Sequence, residues 1–214
     1  MPRITSDKGD SVSEQRIIVC GDELVAGTGD PRRLGWVGRV MNRTPFAADQ
    51  HVLPLAVPGE TTQGLAQRFS TEVVPRLGRR VDNRLVIGVG TGDARVRGMS
   101  TARTRLAIAN VLDQAIGYQM GCFVIGPPPL PGADESQVAN LSRAASEVCA
   151  RRKIPYVDAF TPLRSHDQWL NDLAANNGMP GQAGYGLLAW LVLHRGWVQW
   201  LLGEDASPTE DQLA

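Results

Sequence analysis

Short runs of apolar residues alternate along this chain with longer segments that have helical spacing. Residues 17–20 are Ile-Ile-Val-Cys, an uninterrupted and mostly β-branched run that is typical of a strand buried on both faces. Similar runs predict four further strands, at residues 50–57, 84–90, 121–126 and 154–160. Strands that alternate with helices favour a single parallel sheet covered by helices on both faces.

The helical segments recur between these strands and after the last of them. They are predicted at residues 35–44, 61–74, 100–118, 134–153, 169–174 and 185–202. At 214 residues, the chain has the length of one domain that buries roughly 70% of its unfolded surface. We expect a flexible segment at 1–15, a single domain at 16–202 and an acidic tail at 203–214.

Composition excludes several classes of function. Basic and acidic residues balance at 22 each, so no overall field would attract nucleic acid or an anionic membrane. The chain has no uncharged apolar segment long enough to span a bilayer, and residues 1–15 lack the apolar core of a signal peptide, which favours a cytoplasmic protein. The three cysteines are far apart, and two lie in apolar runs, so buried thiols are expected rather than disulfides or a zinc site. No metal or cofactor is expected, and no oligomeric state follows from the sequence.

Four polar segments fall at loops of the predicted domain. They are residues 21–24 (GDEL), 57–62 (VPGETT), 90–93 (GTGD) and 176–185 (NNGMPGQAGY). In this order and spacing they resemble the SGNH, or GDSL-type, hydrolases, a family of esterases and acylhydrolases. The resemblance covers residues 16–202 and implies an α/β fold: a three-layer α/β/α sandwich around a five-stranded, parallel, flavodoxin-like sheet.

The same resemblance implies that the family's catalytic residues are missing here. Glu23 stands where the family has its nucleophilic serine, and Gly92 where it has an asparagine that donates to the oxyanion hole. Gly59 matches the glycine that lends a backbone N–H to that hole. Asn176 and Met179 stand in place of the aspartate and histidine. A thioether takes up no proton near neutral pH, so Met179 cannot act as a general base.

Other polar residues of these loops suggest alternatives to serine catalysis. Asp22, Glu60 and Asp93 are expected near Glu23, where carboxylates could support a carboxylate-based mechanism or bind a cation or an amine. Asp22 and Asp93 are explained more simply as acceptors of loop hydrogen bonds, whereas the roles of Glu23 and Glu60 stay open. His166 lies between a serine and an aspartate, but adjacent residues do not converge on one point, and only its approach to the crevice would give it a role.

The sequence therefore predicts a pseudoenzyme, a hydrolase fold that binds an unidentified small molecule or protein partner in its former active-site crevice. The alternative is an active hydrolase, esterase-like or carboxylate-based, that uses Glu23, Glu60, Asp93 or His166. Glu23 and the other matched positions are expected to line one depression at the carboxyl ends of the strands. With Glu23 ionised and no histidine beside it, this depression should prefer cations, amines or neutral polar ligands over carboxylates and acyl anions.

Overall fold

The computed structural model of the protein describes residues 14–46, 49–88, 90–96 and 100–203. The predicted terminal segments, 1–15 and 203–214, lie outside this part of the chain except for residues 14, 15 and 203. The first strand already begins at Glu14, two residues before the predicted start of the domain. No helix among the described residues combines the length and the apolar character needed to cross a bilayer.

Five parallel strands form the sheet within the described residues, in the order β2-β1-β3-β4-β5. They are β1 (Glu14–Gly21), β2 (Asp49–Ala56), β3 (Asp82–Gly88), β4 (Gly121–Ile125) and β5 (Tyr156–Val157). This order, with helices on both faces, is the predicted flavodoxin-like α/β/α sandwich, and the fold prediction is confirmed.

Nine α-helices cover the sheet in the part of the chain that the structure describes. They are α1 (Gly35–Asn42), α2 (Thr62–Arg68), α3 (Thr91–Arg95), α4 (Thr101–Gly117), α5 (Glu135–Arg151), α6 (Phe160–Leu163), α7 (Asp167–Ala175), α8 (Gln182–Val192) and α9 (Val198–Leu202). A π-helical turn at Phe69–Val73 and a 3-10 turn at Val74–Arg76 follow α2, and a second π-helical turn at Leu193–Trp197 joins α8 to α9.

The core has two apolar layers, one on each face of the sheet. Ile17 and Val19 point to the layer beneath α1, α7, α8 and α9, whereas Ile18 and Cys20 point to the layer beneath α2, α4 and α5. Successive side chains of a strand face opposite sides, so an unbroken apolar run is what a sheet covered on both faces requires. The predicted burial of both faces of β1 is confirmed.

Two element boundaries differ from the prediction because side chains bind backbone N–H groups. The predicted strand 154–160 pairs only at β5, since the carboxylate of Asp158 accepts the N–H groups of Phe160 and Thr161 and turns the chain into α6. The last long helix begins at Gln182 rather than at 185. There the carboxylate of Asp172 accepts two N–H groups at the start of α8.

The loop predicted at residues 91–93 is instead helical. After Gly90, which has a positive φ of 95°, the chain enters the short helix α3 at Thr91. Glycine adopts this left-handed conformation without a steric penalty, so the chain can turn sharply here as it leaves the sheet. Residues 92 and 93 therefore occupy fixed positions in a helical turn and lie close to the loop after β2.

Candidate functional site

Glu23 lies in the turn that follows β1, and 7% of its surface is exposed. Its Oε2 accepts the backbone N–H of Gly59 at 2.7 Å, and its Oε1 accepts a bond from Nη1 of Arg95. Burial acts to raise the pKa of Glu23, but the bonds from Gly59, from its own backbone N–H and from Arg95 outweigh burial and hold the pKa below its usual value. Glu23 is therefore an ionised carboxylate with a cationic partner.

Arg95 was not among the predicted site residues, although it follows the GTGD segment by only two positions. Its side chain is 36% exposed, whereas that of Glu23 is 9% exposed. The predicted preference for cations assumed a Glu23 carboxylate without a positive partner. Because Arg95 neutralises that charge, the reason for this preference is removed.

Gly59 occupies the turn after β2 and has a φ of 71°. A side chain is strained in this left-handed conformation, which explains glycine here. In the part of the chain that the structure describes, a Cβ built at Gly59 would meet no atom within 4 Å, so these residues leave the space beside it open. The loops after β1 and β2 are thus joined by the bond from the Gly59 N–H to Glu23.

Gly92, in the first turn of α3, packs directly against the loop after β2. A Cβ built at Gly92 would lie 2.1 Å from the carbonyl oxygen of Glu60 and 2.7 Å from that of Gly59. Such distances are too short for any side chain, so this loop fills the space that an asparagine at position 92 would need. The structure brings Glu23, Gly59 and Gly92 together and adds a steric obstacle that the sequence did not reveal.

Asn176 and Met179 lie in the loop between α7 and α8. The side-chain amide of Asn176 donates to the carbonyl oxygens of Gly29, at 2.9 Å, and of Met179, at 3.0 Å. A Cβ at Gly29 would lie 2.8 Å from the Cβ of Met179, and the Tyr185 hydroxyl donates to the carbonyl of Thr28. Asn176 and Met179 thus pack on the loop that follows Glu23, at Gly29, whereas the carboxylate of Glu23 takes its bonds from Gly59 and Arg95.

Asp22 is 3% exposed and accepts the N–H of Leu24 at 3.0 Å. Burial raises the pKa of this carboxyl to about 6, with a further increase from the charge of Glu23, against bonds from Leu24 and the Thr91 side chain that lower it. Asp22 and its neighbour Glu23 therefore have pKa values shifted in opposite directions.

Asp93 is completely buried, and both of its carboxylate oxygens are engaged. Oδ2 accepts the N–H and the hydroxyl of Thr62, each at 2.8 Å, and Oδ1 accepts the hydroxyl of Thr104 at 2.9 Å. Asp93 therefore ties α3 to the starts of α2 and α4. This is the loop-bonding role considered for it in the sequence.

The other two candidates are placed in different surroundings. Glu60 forms a bidentate pair with Arg68, with Nε–Oε1 at 2.5 Å and Nη2–Oε2 at 2.6 Å, and its side chain is only 5% exposed. His166 is exposed at the start of α7, and its imidazole has no hydrogen-bond partner among the described residues. The contacts of Glu60 and His166 give neither of them a bond to Glu23.

Among the described residues, no three histidine, cysteine or acidic side chains are grouped so that they could hold a metal ion. Surface clefts of about 540 Å³ beside α5 and about 450 Å³ between α4 and α5 are not lined by Glu23, Gly59 or Gly92. Among the described residues, the Glu23 carboxylate accepts bonds from one backbone N–H, that of Gly59, and one guanidinium, that of Arg95.

Comparison with known proteins gives one family match and several similar structures. The model of the GDSL-like lipase/acylhydrolase family matches residues 19–187. The crystal structure of the lipase/acylhydrolase from Enterococcus faecalis is 22% identical, with a TM-score of 0.72 over 92% of this chain and 99% of that one. TesA is also 22% identical, with a TM-score of 0.69 over 85% of this chain and 98% of that one.

The psychrotrophic esterase EstA from Pseudoalteromonas sp. is 14% identical, with a TM-score of 0.66 over 85% of this chain and 96% of that one. None of the curated proteins matches this chain closely enough to count as a relative. At these identities the similar structures show a shared fold, and they leave the chemistry to be argued from the residues of this chain.

Proposed function

This chain belongs to the GDSL-like lipase/acylhydrolase family, and we propose that it keeps the fold of that family without its serine-esterase chemistry. Its former catalytic crevice would serve for binding. The observation that carries the proposal is the position of the Glu23 carboxylate, which accepts the Gly59 N–H and pairs with Arg95. A negative charge that belongs to the protein already occupies the donors on which an ester oxyanion would have to form.

The size of the expected defect supports this proposal. Removing the nucleophile or the base of a serine triad costs on the order of 10⁶ in turnover. Loss of an oxyanion donor costs roughly 10²–10³. The Glu23 carboxylate adds repulsion, because charge that develops beside it would be of the same sign. These contacts are therefore incompatible with serine catalysis at position 23.

The positions that match the family's aspartate and histidine also support the proposal. The Asn176 amide is used to bond the backbone at Gly29 and Met179, which is a structural task. The thioether of Met179 packs against the apolar layer beneath α8 and cannot take up a proton. A hydroxyl introduced at position 23 would thus find no base, and a serine with an unshifted pKa is a poor nucleophile.

Ester hydrolysis and active-site labelling test this proposal. The purified protein should hydrolyse short p-nitrophenyl esters at the rate of a heat-denatured control, and a fluorophosphonate probe should leave every serine unlabelled. Glu23→Ser alone should give the same two results. Labelling of the native protein at one defined serine, lost on denaturation and accompanied by ester turnover, would refute the proposal.

A second candidate is a hydrolase that uses carboxylates. It is favoured by the opposite pKa shifts of neighbouring Asp22 and Glu23, since acid–base pairs of enzymes have pKa values that their surroundings push apart. Turnover of an ester or glycoside that is abolished by Asp22→Asn and by Glu23→Gln would support it. The control is Glu147→Gln, which removes one carboxylate from the ion pair with Arg105 on α4 and α5. Equal rates in all four proteins would exclude this candidate.

A further inference from the structure

We propose that the Gly59 N–H and the Arg95 guanidinium form a carboxylate-binding site, that Glu23 closes this site in cis, and that a small carboxylate binds by displacing the Glu23 side chain. This inference rests on the proposed function, because a Glu23 that acted in catalysis would need to remain at the site during the reaction. It names the ligand class of the crevice and the contact that keeps the crevice closed.

The two donors bind different oxygens of the Glu23 carboxylate, and this arrangement indicates the class of ligand. The Gly59 N–H binds Oε2 and the Arg95 guanidinium binds Oε1, so each oxygen of one planar carboxylate has its own donor. One of the two donors is charged, and charge-assisted hydrogen bonds of this kind are stronger than neutral ones. A free carboxylate placed on the same donors would make the same two bonds.

The surroundings of the two donors allow a ligand to approach. The Arg95 side chain is 36% exposed, so the guanidinium reaches solvent although its partner carboxylate is buried. The described residues leave the space at Gly59 open, since a Cβ there would meet none of their atoms within 4 Å. A ligand cannot approach at Gly92, because the backbone of Glu60 fills the space that a side chain there would take.

The charges around this site require a carboxylate ligand to displace the Glu23 side chain, because the ligand cannot bind beside it. Among the described residues, Arg95 pairs with Glu23 and its charge also acts to lower the pKa of Asp22, whereas Asp93 is tied by three bonds to Thr62 and Thr104. The Arg95 guanidinium thus already interacts with two carboxyl groups. A third anion would meet like charge unless Glu23 leaves, because two carboxylates at one place repel each other. The ligand and the Glu23 side chain therefore compete for one position.

Trifluoroacetate is a suitable probe, because it is a small carboxylate that stays ionised throughout the neutral pH range. Its binding is followed by fluorine NMR and by the shift of the Gly59 backbone amide signal. At constant ionic strength, Glu23→Ala should bind it at least about tenfold more tightly than the native protein does. Acetate should compete, and Glu23→Gln should be intermediate, since its amide still fills part of the site.

Two further variants separate the site from general effects of charge. Adding Arg95→Ala to Glu23→Ala should return binding to the level of the native protein. Glu147→Gln changes the net charge by the same amount and frees Arg105 on the surface, and its affinity should stay at the native level. The NMR spectra also report whether each variant is folded, and Glu23→Gln, which keeps the size of the side chain, decides the question if Glu23→Ala unfolds.

Binding that is no tighter in folded Glu23→Ala or Glu23→Gln than in Glu147→Gln would overturn the inference. Tight binding that survives the loss of Arg95 would overturn it as well. Neither readout depends on turnover, so these outcomes are distinct from labelling of a serine, which would refute the proposed function instead.

Discussion

Substituting Gly92 by alanine adds one methyl group where the loop after β2 touches α3. The new Cβ would lie 2.1 Å from the carbonyl oxygen of Glu60, whereas ordinary contact begins near 3.4 Å. The backbone of the loop would have to move by about 1.3 Å, the difference between these two distances. Gly59 precedes Glu60 in the same turn, so the movement would stretch the bond from the Gly59 N–H to Glu23.

The expected loss of stability is the sum of two effects. Forcing an extra carbon into packed surroundings costs roughly 1–3 kcal/mol. Weakening a bond to a buried carboxylate costs about 1–3 kcal/mol more. We therefore expect Gly92→Ala to lower the free energy of unfolding by about 2–6 kcal/mol, which corresponds to a fall of about 4–24 °C in the melting temperature for a domain of this size.

Urea unfolding measures this change, and Gly186→Ala is the matched control. Gly186 lies inside α8, and a Cβ there would meet nothing within 4 Å. The same chemical change should therefore stabilise the protein, by up to about 1 kcal/mol, because alanine favours the helix. A Gly92→Ala variant within about 0.5 kcal/mol of the native protein would refute the crowding argument. Gly92→Asn should then be tolerated too, and the case for a closed oxyanion site would weaken.

Three shorter predictions concern stability and reactivity. Asp172→Ala should lower the free energy of unfolding by roughly 1–2 kcal/mol in urea titrations, because two N–H groups at the start of α8 lose their acceptor. The control is Asp134→Ala at the exposed start of α5, and a smaller loss of stability for Asp172→Ala than for this control would contradict the prediction. Asp22→Asn should stabilise the protein by up to about 3 kcal/mol above pH 6 and by little near pH 4. Burial raises the pKa of this carboxyl from 3.8 to about 6. The protonated carboxyl therefore contributes stability that is fully present below pH 3.8 and is lost as the pH rises through about 6. Urea unfolding at several pH values measures this trend, and the opposite trend would exclude the shift. All three cysteines are buried, and burial raises the pKa of each thiol to about 12. A thiol-titrating disulfide reagent should therefore react with no thiol in the native protein and with three thiols after denaturation. A fast-reacting thiol in the native protein would contradict their burial.

The crowding at Gly92 also bears on any attempt to restore esterase chemistry. A variant that combines Glu23→Ser, Gly92→Asn, Asn176→Asp and Met179→His would introduce the residues that the resemblance to the family implies at these four positions. The loop backbone would still occupy the space of the new asparagine, so its amide could not take up the donor position. We expect such a variant to stay inactive unless residues 57–60 are also changed.

The local pattern of the chain was sufficient to predict its strands and helices and the burial of both faces of the sheet. The run at residues 17–20 identified a strand covered on both faces, because side-chain direction alternates along any strand whatever its neighbours. The predicted helices 61–74 and 134–153 begin at the residues that cap α2 and α5 in the structure, Thr61 and Asp134, since a capping side chain binds N–H groups only two or three residues away. The order of the strands came from the resemblance to the family rather than from periodicity.

The partners of the charged groups were decided by the tertiary structure alone. Glu23 and Arg95 are separated by 72 residues, and the sequence offered no rule for choosing between a free Glu23 and a paired one. Glu60, considered for catalysis, is instead held by Arg68, which also binds the edge of β2. Hydrophobic periodicity records only which face of an element is buried, and ion pairs depend on which loops the folded sheet brings together. The sequence by itself therefore predicted the fold and the positions that differ from the family's pattern, and the packing of the loops after β1, β2 and β3 decided that Glu23 accepts the Gly59 N–H and pairs with Arg95.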